Sequence, residues 1–344
     1  MQLSDFSLRT AVFCPKIADF SPRITNFFPR VLILTIALSA LPAIAFAHEP
    51  LVIAHRGASG HLPEHTLAAY ALAIEMGADF VEPDLIFTRD GVLIARHDHY
   101  LSSTTDVADH PEFLDRKRTV DDRLDWFAED FTLAEIRTLR AVQPFRGRSR
   151  EHDGKYGIPT LQEVIDLVAE KQAAAGRPVG IYPETKLPGY FKVRGFDAAE
   201  QLLAVLRKNR LPRTGIPVIV QSFEPQVLRD LDRTSDLTLV QLVSPVSREE
   251  LNTPNIPLAS IASFADGVGA AKYLLLTPTG EDSGFVRAAH RLGLLVHVWT
   301  LRDDAPHPAF KSSAMELERY LRLGIDGFFT DFPDTGVAGK SSDH

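Results

Sequence analysis

The sequence predicts an α/β protein, a (β/α)8 TIM barrel with a capping insertion after its third strand. Three observations carry that prediction. Short apolar, β-branched runs alternate with amphipathic stretches from residue 51 onward, the pattern of parallel strands joined by helical crossovers. Eight such runs can be counted, the number that closes a barrel. No glycine-rich phosphate turn follows the first run, which argues against an open dinucleotide-binding sheet.

In chain order the strand candidates are LVIA (51–54), FVEPDLIF (80–87), GVLIARHD (91–98), VGIYPET (179–185), PVIVQSF (217–223), LTLVQLV (237–243), LLVHVWT (294–300) and GFFTD (327–331). Helix candidates lie between them at 66–76, 160–172, 197–209, 281–292 and 314–323, most with apolar residues three and four apart. Pro83 is out of place in a central strand, because it removes a ladder donor. Residues 99–157 break the rhythm. They hold SSTTD, PEFLDRKR, DDRLDWFAED and RGRSREHDGKYG, with a short helical signal at 132–140. A loop of that length reads as a substrate-capping element or as decoration over one barrel end.

Ahead of the barrel, residues 31–47 form one apolar run, preceded by Arg23 and Arg30 and closed by Ala45-Phe46-Ala47. That is the layout of a secretory signal cleaved after Ala47. Pro42 interrupts the run, and 17 residues lie at the bottom of the membrane-spanning range, which weighs against an uncleaved anchor. The expected division is a signal peptide over 1–47 and one domain over 48–344, located in the periplasm or secreted. The only cysteine, Cys14, falls inside the leader. The exported chain would then have no disulfide, no thiolate chemistry and no cysteine at the cleavage point to carry a lipid. The formal charge of −8 repels polyanions, so nucleic acid is not an expected partner. A small phosphate ester is still admissible, because a bound divalent cation reverses the local field.

In a barrel, chemistry sits at the C-terminal ends of the strands. His55-Arg56-Gly57 ends the first run. An imidazole moves protons near neutral pH, and a guanidinium grips two phosphate oxygens. Glu82 and Asp84 are two apart and share a strand face, where two buried like charges call for counter-ions. Calcium or magnesium is one answer, with Glu184 a candidate third ligand. Salt bridges to lysine or arginine are the other. His97 and His99, two apart, suggest either a zinc pair or, with His97 alone, a proton-transfer partner for His55. Lys186 follows Glu184 by two and would add an electrostatic clamp on a phosphate. Phe223 and Trp299 at other strand ends are candidates for a substrate wall.

Taken together, His55-Arg56-Gly57-Ala58, Pro63-Glu64-His65-Thr66, Glu82-x-Asp84, His97-Asp98, Pro183-Glu184-Thr185-Lys186 and Thr330-Asp331-Phe332-Pro333-Asp334 resemble the glycerophosphodiester phosphodiesterase family. The run from Leu51 to about Asp106 resembles its periplasmic bacterial branch in particular. The resemblance implies a (β/α)8 barrel, one divalent cation (calcium ahead of magnesium) and hydrolysis of small glycerophosphodiesters to glycerol 3-phosphate and an alcohol. Carried over by position, it implies that His55 and His97 are the acid–base pair and that Arg56 binds phosphate. It also implies that Glu82, Asp84 and Glu184 hold the metal, with Glu64 and Lys186 as further residues of the active centre. Leu301-Arg302-Asp303 departs from the family pattern, where an asparagine is common. Two rival readings are a phospholipase-like lyase that stops at a cyclic phosphate and an exported binding protein without turnover.

Overall fold

Eight parallel strands close into a ring in the computed structural model, which describes residues 49–211 and 213–341. The leader assigned from sequence, with Cys14, lies outside the described residues. The first barrel strand is Leu51–His55, and the second runs as Phe80–Glu82 and Asp84–Phe87 on either side of Pro83. The third runs as Gly180–Ile181 and Glu184–Thr185 around Pro183. The remaining five are Ile219–Ser222, Thr238–Val243, Gly267–Ala271, Leu295–Leu301 and Gly327–Thr330. Each pairs in parallel with the next, and Leu51 opposite Gly327 joins the last to the first. The two prolines leave the ladder continuous. The Pro83 carbonyl accepts from Glu184 N at 2.9 Å and the Pro183 carbonyl from Gln221 N at 3.0 Å, so only a donor is missing.

The count of eight is right, but its membership needs correction. Within 91–98, Leu93–Ala95 folds back antiparallel onto Asp84–Phe87, with Leu85 opposite Ala95, and stays outside the ring. The capping insertion therefore follows the third strand of the chain and the second of the barrel. The strand that completes the ring is Gly267–Ala271, GVGAA, whose composition carries little strand propensity. Its neighbours explain the glycines: a Cβ on Gly269 would stand 2.6 Å from Leu242 Cδ2.

The helices begin where side chains can satisfy their free N–H groups. Thr66 caps Leu67–Glu75, Asp197 caps Ala198–Lys208 and Ser312 caps Ser313–Leu323. Thr160 and Glu163 form a reciprocal capping box on Leu161–Ala175, and Thr132 and Glu135 form another on Leu133–Ile136. The 99–157 segment, charged as it reads, is anchored by Phe113, Trp126, Phe131 and Leu139, which join the main core between barrel and helices. Its charges pair with one another: Arg118 with Glu129 and Asp130, each at 2.6 Å, and Arg116 with Glu135 at 2.6 Å.

Side chains alternate along a strand, and this alternation builds the barrel interior in two layers. Ile53, Phe80, Tyr182, Ile219, Val240 and Phe329 pack into an apolar floor. Buried His297 lies at that level, its Nδ1 2.8 Å from Tyr182 Oη, and burial pulls it down to about 4, so it is neutral. Two residues further along these strands lie His55, Glu82, Glu184, Gln221, Leu242, Trp299 and Asp331. The floor excludes water from below, and the polar layer faces the mouth.

Candidate active site

Above the floor is a cavity of about 150 Å³. His55, Arg56 and His97 line it together with Glu82, Glu184 and Lys186, and Phe223 and Trp299 form an apolar side. The strand ends thus bring together most of the residues singled out from sequence. Glu64 and Asp84 are the exceptions: Asp84 lies buried behind the lining, beside Lys186 and His65. Glu64 Oε2 accepts from Arg56 Nη1 at 3.1 Å and steadies the guanidinium from behind.

Arg56 reaches inward because the chain turns sharply after the first strand. Arg56 has φ 60° and Gly57 φ 83°, left-handed conformations that disfavour a side chain by about 1–2 kcal/mol at the non-glycine position. At Gly57 a Cβ would also lie 2.7 Å from the Ala69 carbonyl carbon. The turn directs Arg56 N onto Glu82 Oε2 at 2.9 Å and brings the guanidinium Nε to 3.4 Å from Asp84 Oδ2. Although burial opposes its charge, Glu64, Asp84 and Glu82 outweigh it and raise the Arg56 pKa.

Glu82, Asp84 and Glu184 offer oxygens that all lie within 4.8 Å of one another, and all three residues are buried. Burial first, then the charges of Asp84 and Glu184, push Glu82 well above the carboxylate range. Glu184 is pushed up to about 8 by burial and by Asp84, against the opposing pull of Lys186. Burial would also raise Asp84, but Lys186 and a hydrogen bond from His65 hold it well below the ordinary value. Lys186 Nζ stands 2.9 Å from Glu184 Oε1 and 3.7 Å from Asp84 Oδ1. Asp84 Oδ1 has no hydrogen-bond donor among the described residues. Three buried oxygen ligands, two of them disfavoured as carboxylates without a cation, fit a hard divalent ion.

His55 Nδ1 lies 2.6 Å from Asp331 Oδ1, which leaves Nε2 for chemistry. Burial, then Arg56, lowers the His55 pKa against the pull of Asp331, so the ring is neutral at neutral pH. His97 Nδ1 lies 2.8 Å from Asp98 Oδ1, and its side chain is more exposed, 34% against 19% for His55. His99 does not join His97. It packs against Phe127 and Tyr190, with Nδ1 3.6 Å from Glu129, and the zinc alternative finds no support in the structure.

Sequence reasoning passed over three contributors. Asp331 stood in the closing motif without a role. Gln221 donates to Glu82 Oε1 at 3.2 Å, and the i+2 alternation from Ile219 pointed to it. His65, fully buried, places Nε2 2.9 Å from Asp84 Oδ2 and Nδ1 2.7 Å from Tyr70 Oη, and burial pulls its pKa down to about 4.

Paired cationic and anionic groups at the mouth of a closed barrel, with two histidines lining the same cavity, define an enzyme that handles phosphate esters. Comparison with known proteins narrows the class. Residues 55–335 match the glycerophosphoryl diester phosphodiesterase family, and the chain belongs to it. A glycerophosphodiester phosphodiesterase of Arabidopsis thaliana is 35% identical over 83% of this chain and 84% of its own length. One from Haemophilus influenzae is 32% identical over 84% of this chain and 89% of its own. Among solved structures, a putative glycerophosphoryl diester phosphodiesterase from Silicibacter pomeroyi superposes with a TM-score of 0.63 at 24% identity, over 85% of this chain and 93% of that one. An Oleispira antarctica phosphodiesterase, solved with the product sn-glycerol-3-phosphate, gives 0.60 at 22% identity, over 85% and 97%.

Proposed function

We propose that the protein is an exported, metal-dependent glycerophosphodiester phosphodiesterase. It would convert deacylated phospholipids such as glycerophosphocholine and glycerophosphoethanolamine to sn-glycerol 3-phosphate and the alcohol. The observation that carries the reading is the convergence of His55, His97, Arg56 and Lys186 with Glu82 and Glu184 on one cavity. The family match supports the reaction class, and the apolar run before Ala47 supports export to the periplasm or beyond.

Glu82, Asp84 and Glu184 would hold the cation, with calcium proposed ahead of magnesium. When bound, the ion would supply Lewis-acid stabilisation of the phosphoryl oxygens. Arg56 and Lys186 neutralise charge on the same oxygens from the protein side. His55, neutral and backed by Asp331, accepts the proton of the nucleophile. His97, nearer the solvent, donates to the departing alkoxide, which must leave through the mouth. Phe223 and Trp299, edge to face at 5.7 Å, wall the alcohol side and offer aromatic faces to a quaternary ammonium.

The test is phosphorus NMR of glycerophosphocholine incubated with purified protein and calcium. The reading expects sn-glycerol 3-phosphate. A persistent cyclic phosphate would replace it with the lyase, and unchanged substrate with the binding protein.

A further inference from the structure

Asp331 joins two histories of the chain. It follows the eighth barrel strand, and its two oxygens face different partners: Oδ1 meets His55 Nδ1 at 2.6 Å, while Oδ2 meets Arg148 Nη2 at 2.5 Å. Arg148 comes from the insertion, 183 residues away, yet its side chain is only 2% exposed. All three nitrogens of its guanidinium are engaged. Nε and Nη2 bind the two oxygens of Asp304 at 2.9 and 3.2 Å, and Nη1 donates to the Ser59 carbonyl at 3.1 Å. The plane stacks over Phe145, 4.2 Å from its centroid.

The Ser59 contact closes the circuit, because Ser59 Oγ donates to the His55 carbonyl at 2.8 Å. Gln143, also from the insertion, donates to the same Ser59 carbonyl at 3.1 Å. Arg302 stands 3.6 Å from Asp331 Oδ2 and shares Asp304, but it is the more exposed of the two arginines. A buried carboxylate that served His55 alone would be free to rotate about its own side-chain bonds. A second, bidentate-capable donor fixes its plane.

We propose that Arg148 is a positioning residue for His55: the insertion clamps Asp331 through this guanidinium and so fixes the orientation of the imidazole. The insertion is then part of the proton-transfer apparatus. This rests on the reading of His55 as a proton-transfer group, so His55→Ala is measured beside the tests.

Steady-state kinetics on glycerophosphocholine with calcium would be compared for the wild type, Arg148→Met, Arg148→Lys, Asp331→Asn and the Arg148→Met/Asp331→Asn pair. Loss of an orienting partner lowers activity about 10–100-fold. Arg148→Met should lower kcat by that factor and move KM by less than about twofold, and Arg148→Lys, which keeps the charge but not the fork, should recover part of the loss. In the double variant kcat should equal that of Asp331→Asn alone, because the path through Asp331 is already cut. Losses that multiply would show that Arg148 acts elsewhere and would overturn the proposal. So would wild-type kcat in Arg148→Met beside an inactive His55→Ala. Full activity in His55→Ala would instead overturn the functional reading. If Arg148→Met gives no folded protein by circular dichroism, Arg148→Lys with and without Asp331→Asn makes the same comparison.

Discussion

Replacing Glu82 with glutamine separates the ion-binding role of the acidic cluster from its effect on stability. Carboxylate oxygens within 4.8 Å repel by about 3–4 kcal/mol per fully charged pair at an effective dielectric constant of 20. Arg56, Lys186 and partial protonation offset much of this, so removing one charge should stabilise the metal-free protein by about 1–2 kcal/mol. The new amide can be accommodated. One carboxamide oxygen keeps the bond from Arg56 N at 2.9 Å, and Gln221, whose Oε1 has no partner among the described residues, can turn its amide to accept from the new NH2. A cation that binds only the folded state adds about 2.7 kcal/mol at a hundredfold excess over Kd, or roughly 5 °C in a domain of this size. Differential scanning calorimetry in chelator and in calcium reads both terms. Glu82→Gln should melt above the wild type in chelator and below it in calcium. A variant that melts lower under both conditions, or a wild type that neither calcium nor magnesium shifts, would refute the reasoning.

His55→Ala and His97→Ala should each lower kcat about 10²–10⁴-fold while leaving the calcium-induced rise in Tm intact. Phe223→Ala, at a residue 38% exposed on the alcohol side, should raise KM for glycerophosphocholine about two- to fivefold and leave KM for a glycerophosphodiester with an uncharged alcohol nearly unchanged. Against the upward pull of partial burial, Arg148 and then Arg302 hold Asp304 down at about 2. Stability from that pair is present above the unfolded value near 4 and lost as pH falls through 2, so Asp304→Asn should flatten the fall in Tm over that range.

What the sequence disclosed follows from local spacing. Glu82 with Asp84, and Glu184 with Lys186, share a face because side chains alternate, and the apolar residue two before His55, Glu82, Glu184, Gln221 and Asp331 fills the floor for the same reason. The rule failed where the strand stopped. The antiparallel strand ends at Ala95, so His97 and His99 part company, one to the cavity and one to the insertion. Gly267–Ala271 was missed because its strand character is imposed by Leu242 and Leu295 beside it, which leave no room for a side chain. Pairings made by closure of the ring were also illegible. His55 and Asp331 are 276 residues apart, and nothing in RGRSR distinguishes Arg148, buried against Asp331, from exposed Arg146 and Arg150 on either side.

In the proposed reaction one cation, held by Glu82, Asp84 and Glu184, is required for the histidine pair to turn over a glycerophosphodiester. The most direct measurement is a calcium titration of chelator-stripped protein, with bound metal and the rate of glycerophosphocholine cleavage read on the same samples. No turnover is expected without metal, and the rate should rise with occupancy and saturate at one ion per chain. Turnover at full rate in chelator, or a bound ion that leaves the rate unchanged, would rule out that requirement.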